Sequence, residues 1–197
     1  MVLQQRGGEF AIRVSGQVLM GSRSHGSEEQ LARAALKNAA SARPRILVGG
    51  LGMGFTLRAV LDQVGQGAQG VVAELLPAVI AWNDGPLAPL AGSPLRDPRV
   101  EVFEGDVARA IRERAAPYDA ILLDVDNGPA ALTSGRNAAL YAEQSLAEIK
   151  AALGPKGRLV VWSASSDAPF ERRLREAGFE ARTLRVRRNV LFVADVG

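Results

Sequence analysis

The chain has 197 residues, no cysteine, a single histidine and a formal net charge of +3, with a pI near 9.8. That length suits one domain able to bury a proper core, and 47% hydrophobic against 23% charged residues is a globular balance, neither disordered nor fibrous. Without cysteine there are no disulfides and no thiolate-bound zinc; with His25 the only histidine, no multi-histidine metal site is expected, and no apolar run approaches the roughly 20 residues of a membrane span. The opening MVLQQRGGEF lacks the apolar stretch of a secretory signal, so a cytoplasmic protein without a membrane partner or a metal is expected.

In chain order, EFAIR (9–13) and QVLM (17–20) flank Val14-Ser15-Gly16 and predict a small β-hairpin. Ser27 could cap the helix that follows, with Gln30 as its capping-box partner. That helix runs through LARAALKNAA and stops ahead of Arg43-Pro44. From Arg45 strands and helices alternate. Apolar strands are expected at 45–50, 70–76, 100–106, 118–125 and 158–165, and helices at 54–64, 77–83, 107–115, 137–152 and 169–177. The strands are continuous apolar runs, as in a parallel sheet covered on both faces. The Pro/Gly-rich stretch 84–98 reads as a surface loop or lid. FEARTLRVR (179–187) and NVLFVADV (189–196) have almost nothing between them, so only a tight antiparallel hairpin can join them.

The expected fold class is therefore α/β. It is a doubly wound, mostly parallel, seven-stranded Rossmann-like sheet with a C-terminal antiparallel hairpin and a small N-terminal β-hairpin. This is the layout of the class I S-adenosylmethionine-dependent methyltransferases. Residues 1–26 read as hairpin and connector, and 27–197 as the nucleoside-binding domain. Phe10, Ile12, Val18 and Leu19 of the hairpin offer an apolar surface for a possible homodimer. The late arginines (Arg172, Arg173, Arg175, Arg182, Arg185, Arg187, Arg188) have no interleaved aromatics to stack bases. They read as a solvated face and a charged edge strand rather than a nucleic-acid surface.

The chemistry concentrates at strand ends. ILVGGLGMGFTL (46–57) runs from a strand straight into Gly49, Gly50, Gly52 and Gly54. Such a turn brings backbone N–H groups close to a ligand at the carboxyl edge of the sheet, or simply packs helix against strand. Glu74 ends the next strand, 22 residues after Gly52, where a carboxylate can accept both ribose hydroxyls of a nucleoside. Asp106 ends the third strand, where it can accept an adenine N–H or cap the helix behind it. The fourth strand ends in LLDVDNGP, placing Asp124 and Asp126 at the switch point. A carboxylate there could anchor a cationic amine and take its proton.

ILVGGLGMGFTLRAVL resembles the glycine motif of the spermidine synthases. The resemblance extends to Glu74 in VVAELLPAVI, to DPRVEVFEGD (97–106), YDAILLD (118–124) and LYAEQSLAEIKAALGPKG (140–157), and upstream to Gly16-Gln17 and SHGSEE. It implies displacement at carbon: an amine attacks the propyl carbon beside the sulfonium of decarboxylated S-adenosylmethionine and releases methylthioadenosine. Gly50, Gly52 and Gly54 would cradle the donor, Glu74 its ribose and Asp106 its adenine. Asp124 and Asp126 would be catalytic. Gln17 would line the donor pocket, and His25 and Tyr141 the pocket of a small-molecule amine. At two points the chain departs from the family pattern. Met53 stands where the glycine motif carries an Asp that holds the donor's amino group, and Asp124-Val125-Asp126 replaces Asp-x-x-Asp. Methyl transfer from intact S-adenosylmethionine is the main alternative. A non-catalytic nucleoside- or RNA-binding protein is a weaker one, and the terminal hairpin argues against a nicotinamide oxidoreductase.

Overall fold

The computed structural model describes residues 1–23, 25–37, 41–125, 128–129 and 139–197. At the N-terminus β1 (Val2–Arg6), β2 (Glu9–Val14) and β3 (Gln17–Gly21) form a three-stranded antiparallel sheet. The sequence predicted only the β2–β3 hairpin. VLQQR carries just two apolar residues, and β1 is held by its pairing with β2 instead. Leu3, Phe10, Ile12 and Met20 alternate onto the inner face and pack around Met53 and Leu87. Phe10 and Ile12 therefore point into the molecule while Val18 and Leu19 stay exposed. The four do not form the single apolar surface that was expected.

Helix α1 (Gly26–Leu36) begins at His25, with no side chain capping it. Ser27 donates to Glu28 rather than receiving a backbone N–H, so the expected Ser27–Gln30 capping box is not formed. Glu28 and Glu29 occupy the first turn, where the helix dipole favours negative charge.

The main sheet has seven strands in the order β6-β5-β4-β7-β8-β10-β9. They are β4 (Arg45–Gly49), β5 (Gln69–Glu74), β6 (Val100–Glu104), β7 (Tyr118–Leu123), β8 (Leu153–Ser163), β9 (Phe179–Val186) and β10 (Asn189–Val196). The first five pair in parallel; β10 pairs antiparallel with both β8 and β9. Among the described residues the remaining helices are α2 (Phe55–Leu61), α3 (Pro77–Asp84), α4 (Val107–Arg112), α5 (Glu143–Ala152) and α6 (Ala168–Glu176). Period-two alternation splits the strand side chains between two cores. Ile46, Val48, Val72, Leu122 and Val160 pack under α1, α2 and α3. Leu47, Val71, Ile121, Leu159 and Phe192 pack under α4, α5 and α6. This is the doubly wound sheet with a terminal hairpin that the sequence predicts.

Residues 84–98 pack against the body of the fold. Two short 3₁₀ turns, Ala88–Ala91 and Pro94–Arg96, bury Leu87, Ala88, Ala91 and Pro94. Arg99, paired with Asp97 at 2.7 Å, donates to the carbonyls of Leu61 and Val64 at 3.1 and 2.9 Å and so ties the stretch to the end of α2. On the far edge β9 is guarded by charge. Arg182 pairs with Asp195 at 2.6 Å and Arg175 with Glu171. Among the described residues no helix is long and apolar enough to cross a membrane.

Candidate functional site

A cavity of about 380 Å³ opens along the carboxyl ends of the parallel strands, a size typical of small-molecule sites. Its floor is the turn after β4. Gly50 has φ 90°, and a side chain there would drive its Cβ into the carbonyl oxygen of Asp124. Gly52 also lines the cavity. Gly54 does not: it is buried at the start of α2 with φ 84°, and a Cβ would lie 2.9 Å from Asn83 Oδ1 and 3.1 Å from Pro94. Its lack of a side chain serves packing. Asn83 in turn donates to the Gly52 carbonyl at 2.8 Å and steadies the turn.

Glu74 closes β5 and is almost fully buried. Its Oε2 accepts the N–H of Leu51 at 3.0 Å and its Oε1 that of Leu76 at 2.9 Å. The carboxylate is thereby locked against the glycine turn. A carboxylate offers about four lone-pair positions, so each oxygen retains one for a ligand. Asp106 follows β6, lines the same cavity and caps α4 through Oδ1, which accepts from Ala108 N at 2.8 Å.

Asp124 follows β7, held by its backbone N–H to the Gly49 carbonyl at 2.8 Å. Thr56, buried in α2, donates its hydroxyl to Oδ2 at 2.6 Å. Burial pushes the Asp124 carboxyl up to about 6; the Thr56 hydroxyl acts in the opposite direction, and the nearby charge of Glu28 raises it further. Asp126 lies outside the described residues.

Three expected pocket residues are not brought to this cavity. Gln17 is exposed at the turn end of the β2–β3 hairpin, opposite Val14; Leu19, Met20 and Gly21, farther along β3, reach the cavity instead. His25 stacks on Phe55 with ring centroids 4.5 Å apart and places Nδ1 3.1 Å from Glu29. It lines a separate open groove with Arg33, Arg58 and Asp62. His25 precedes the first turn of α1 and shares this groove with Glu29, whereas Glu28, about 100° round the helix from Glu29, lines the main cavity. Tyr141 is buried in the core, edge-on to Phe170 at 5.3 Å, and its neighbour Leu140 lines the cavity. Met53 also stays outside: it is buried between Ile12 and Leu87.

Sequence reading missed Glu28, Trp162 and Asn189, all in the cavity wall. For Glu28 a signal existed. Residues 28, 31, 32 and 35 share the i, i+3, i+4, i+7 stripe that α1 turns to the core, where Leu31, Ala32 and Ala35 are buried. An acid on an apolar stripe points at something other than water. With it the cavity holds four carboxylates, Glu28, Glu74, Asp106 and Asp124, and among the described lining residues no lysine or arginine. No metal-ligating cluster of His, Asp or Glu occurs among the described residues.

No family model matches the chain. It is 32% identical over 123 residues, 61% of its length, to polyamine aminopropyltransferase 1 of Streptomyces coelicolor. The chain spans only 22% of that relative's length. A solved spermidine synthase from Thermotoga maritima superposes on the whole chain, covering 72% of its own, with a TM-score of 0.76 at 16% identity. Human methyltransferase-like protein 13, solved with SAH, matches 88% of the chain and 82% of its own, with a TM-score of 0.69 at 22% identity. The fold is thus the one shared by spermidine synthases and class I methyltransferases. The resemblance to polyamine aminopropyltransferases holds in sequence over the matched segment.

Proposed function

We propose that the chain is a transferase for an S-adenosylmethionine-type donor, moving an aminopropyl group from decarboxylated S-adenosylmethionine to a small amine. The observation that carries this reading is the all-acidic cavity: four carboxylates and no basic side chain among the described lining residues. Both substrates of aminopropyl transfer are cations, a sulfonium carrying an ammonium and an amine. Intact S-adenosylmethionine would bring a carboxylate of its own into the same field and meet no arginine or lysine side chain among the described lining residues. The similarity to a polyamine aminopropyltransferase supports the same choice.

In this reading Glu74 accepts from the ribose hydroxyls and Asp106 from adenine, with Gly50 and Gly52 clearing room for the sulfonium. Asp124 anchors the acceptor nitrogen and takes its proton. An alkylamine has a pKa of about 10.4, so it must shed a proton before its nitrogen can attack carbon. Burial raises Asp124 to about 6; each unit by which the gap to the amine narrows is worth about 1.4 kcal/mol in the proton transfer. The rest of the rate comes from holding nucleophile and carbon in line.

One observation favours a second reading, methyl transfer from intact S-adenosylmethionine. At the position where the resemblance implies a donor-holding Asp, Met53 is packed in a small hydrophobic cluster, so one anchor for the donor's ammonium is absent. Calorimetric titration with S-adenosylmethionine, its decarboxylated form and methylthioadenosine in parallel tests both. Tighter binding of the decarboxylated donor, with methylthioadenosine released when an aliphatic diamine is added, is the expected result. Preference for the intact donor, with transfer of its methyl group, would establish the second reading. Failure of all three to bind would remove both.

A further inference from the structure

Along the sheet the cavity has two halves. Glu74 ends β5 and Leu75 and Leu76 follow it, and Gly105 and Asp106 follow β6. On the other side of the glycine turn, Asp124 follows β7, Trp162 lies near the end of β8 and Asn189 begins β10. Ser27 and Glu28 line the cavity from α1, which packs against β7, β8 and β10 on this second side. A nucleoside gripped by Glu74 leaves the second half to the acceptor, and among the described residues that half contains two carboxylates, Asp124 and Glu28. The position of Glu28 is built in. Leu31, Ala32 and Ala35 bury the same face of α1 in the core, and the Ser27 hydroxyl donates to Glu28 Oε2 at 2.7 Å.

We propose that Glu28 is a positioning residue for the transfer: its negative charge, held in the acceptor half with Asp124, adds to burial in making Asp124 the carboxylate that collects the acceptor's proton. This rests on the transfer reading above. The charged side chains lining the cavity with Asp124 are, among the described residues, all acidic: Glu28 from α1, Glu74 from β5 and Asp106 ahead of α4; Met1, which also lines the cavity, carries an α-amino group. Glu74 is engaged by two backbone N–H groups and Asp106 by its cap. From α2 the Thr56 hydroxyl favours the ionised form, while Gly50, Trp162 and Asn189 contribute no charge. Like charges sharing a partly desolvated site resist being ionised together, so the site holds a proton more tightly.

The acceptor ammonium passes a proton to Asp124, and the freed nitrogen pair forms the N–C bond as the C–S bond breaks. The C–S electron pair stays on sulfur, which leaves as a neutral thioether. With Asp124 neutral, its repulsion with Glu28 is relieved, and this relief favours the proton transfer.

The test uses ligand-free protein whose aspartates carry a ¹³C carboxyl, titrated by NMR, with the Asp124 resonance identified by its loss in Asp124→Asn. In Glu28→Gln the Asp124 midpoint is expected to fall by several tenths of a pH unit, and in Glu28→Asp, which keeps the charge, to stay near the parent value. In turnover the acid limb of kcat should move to lower pH in Glu28→Gln, with the KM for the donor unchanged. An Asp124 midpoint that does not move in Glu28→Gln overturns the proposal. The NMR titration contains no donor or acceptor. Absence of transfer from every donor would therefore sink the reaction assignment without altering the titration result.

Discussion

Thr56 donates its hydroxyl to Oδ2 of Asp124 at 2.6 Å, joining residues 68 positions apart in the chain. The bond ties the first turn of α2 to the end of β7 and opposes the burial that raises the carboxyl. Thr56→Val keeps the shape and removes the donor. A hydrogen bond to a charged group is worth about 1.5–3 kcal/mol, so Asp124 should titrate about one to two units higher. The acid limb of the transfer rate should then move up by that amount. A pH–rate profile compared with the parent checks this; a coincident limb would mean that another group controls it.

Asp124 itself should carry a stability cost. Its native pKa of about 6 stands above the ordinary 3.8, so between these values the native state binds more protons than the unfolded chain. Stability therefore falls as pH rises from about 4 to about 6 and stays lower above that range. Asp124→Asn removes the ionisation and keeps an oxygen for Thr56. At pH 7 it should be more stable by about 1–3 kcal/mol, equivalent to several degrees in Tm for a chain of this size. At pH 4 the gain should vanish. The same variant should lose transfer by about 10²-fold or more. Thermal melts at the two pH values, paired with rates, separate these effects.

What could be read ahead of the structure divides along physical lines. Gly50, Glu74, Asp106 and Asp124 were legible because each sits where an apolar strand runs out, and a parallel sheet brings all such ends to one edge. Their meeting in one cavity follows from topology alone. Gln17, His25 and Tyr141 depend on how a hairpin leans and which way a helix face turns, which no local pattern specifies. Their placement outside the cavity reflects packing around Phe55, Phe170 and the Met53 cluster. Glu28 was hidden because it lies between Ser27 and Gln30, the pair read as a capping box. Only its place on the buried stripe of α1 marks it as part of the cavity wall.

Gly50 offers a sharper test of the turn. Its φ of 90° already disfavours a side chain, and an alanine Cβ would collide with the backbone of Asp124, which cannot swing aside. Gly50→Ala should cost about 2–3 kcal/mol and displace the carboxylate that the turn supports. Gly65 has open space around it, so Gly65→Ala should stay within about 0.5 kcal/mol of the parent. Urea midpoints for the two variants give the comparison, and equal losses would show that the collision is relieved by backbone movement.

The Asp97–Arg99 pair carries the opposite sign from Asp124. Arg99 donates through Nε and Nη2 to both oxygens of Asp97, at 2.8 and 2.7 Å, and holds the carboxyl down at about 2 against an ordinary 3.8. A depressed carboxylate contributes stability that is complete above about pH 4 and is lost as pH falls through about 2. The contribution at neutral pH is about 2 kcal/mol, and both side chains are largely buried, 9% and 15% exposed, so solvent screens it little. Asp97→Asn should therefore lower stability at pH 7 by about that amount, with the deficit shrinking steadily toward pH 2. The consequence reaches the site through Pro94, which abuts Gly54 at the start of α2. If residues 84–98 are held chiefly by this pair, Asp97→Asn should also speed backbone amide exchange at Leu87 and Leu90 before it affects the strands. Uniform exchange across the chain would instead assign the pair to global stability alone.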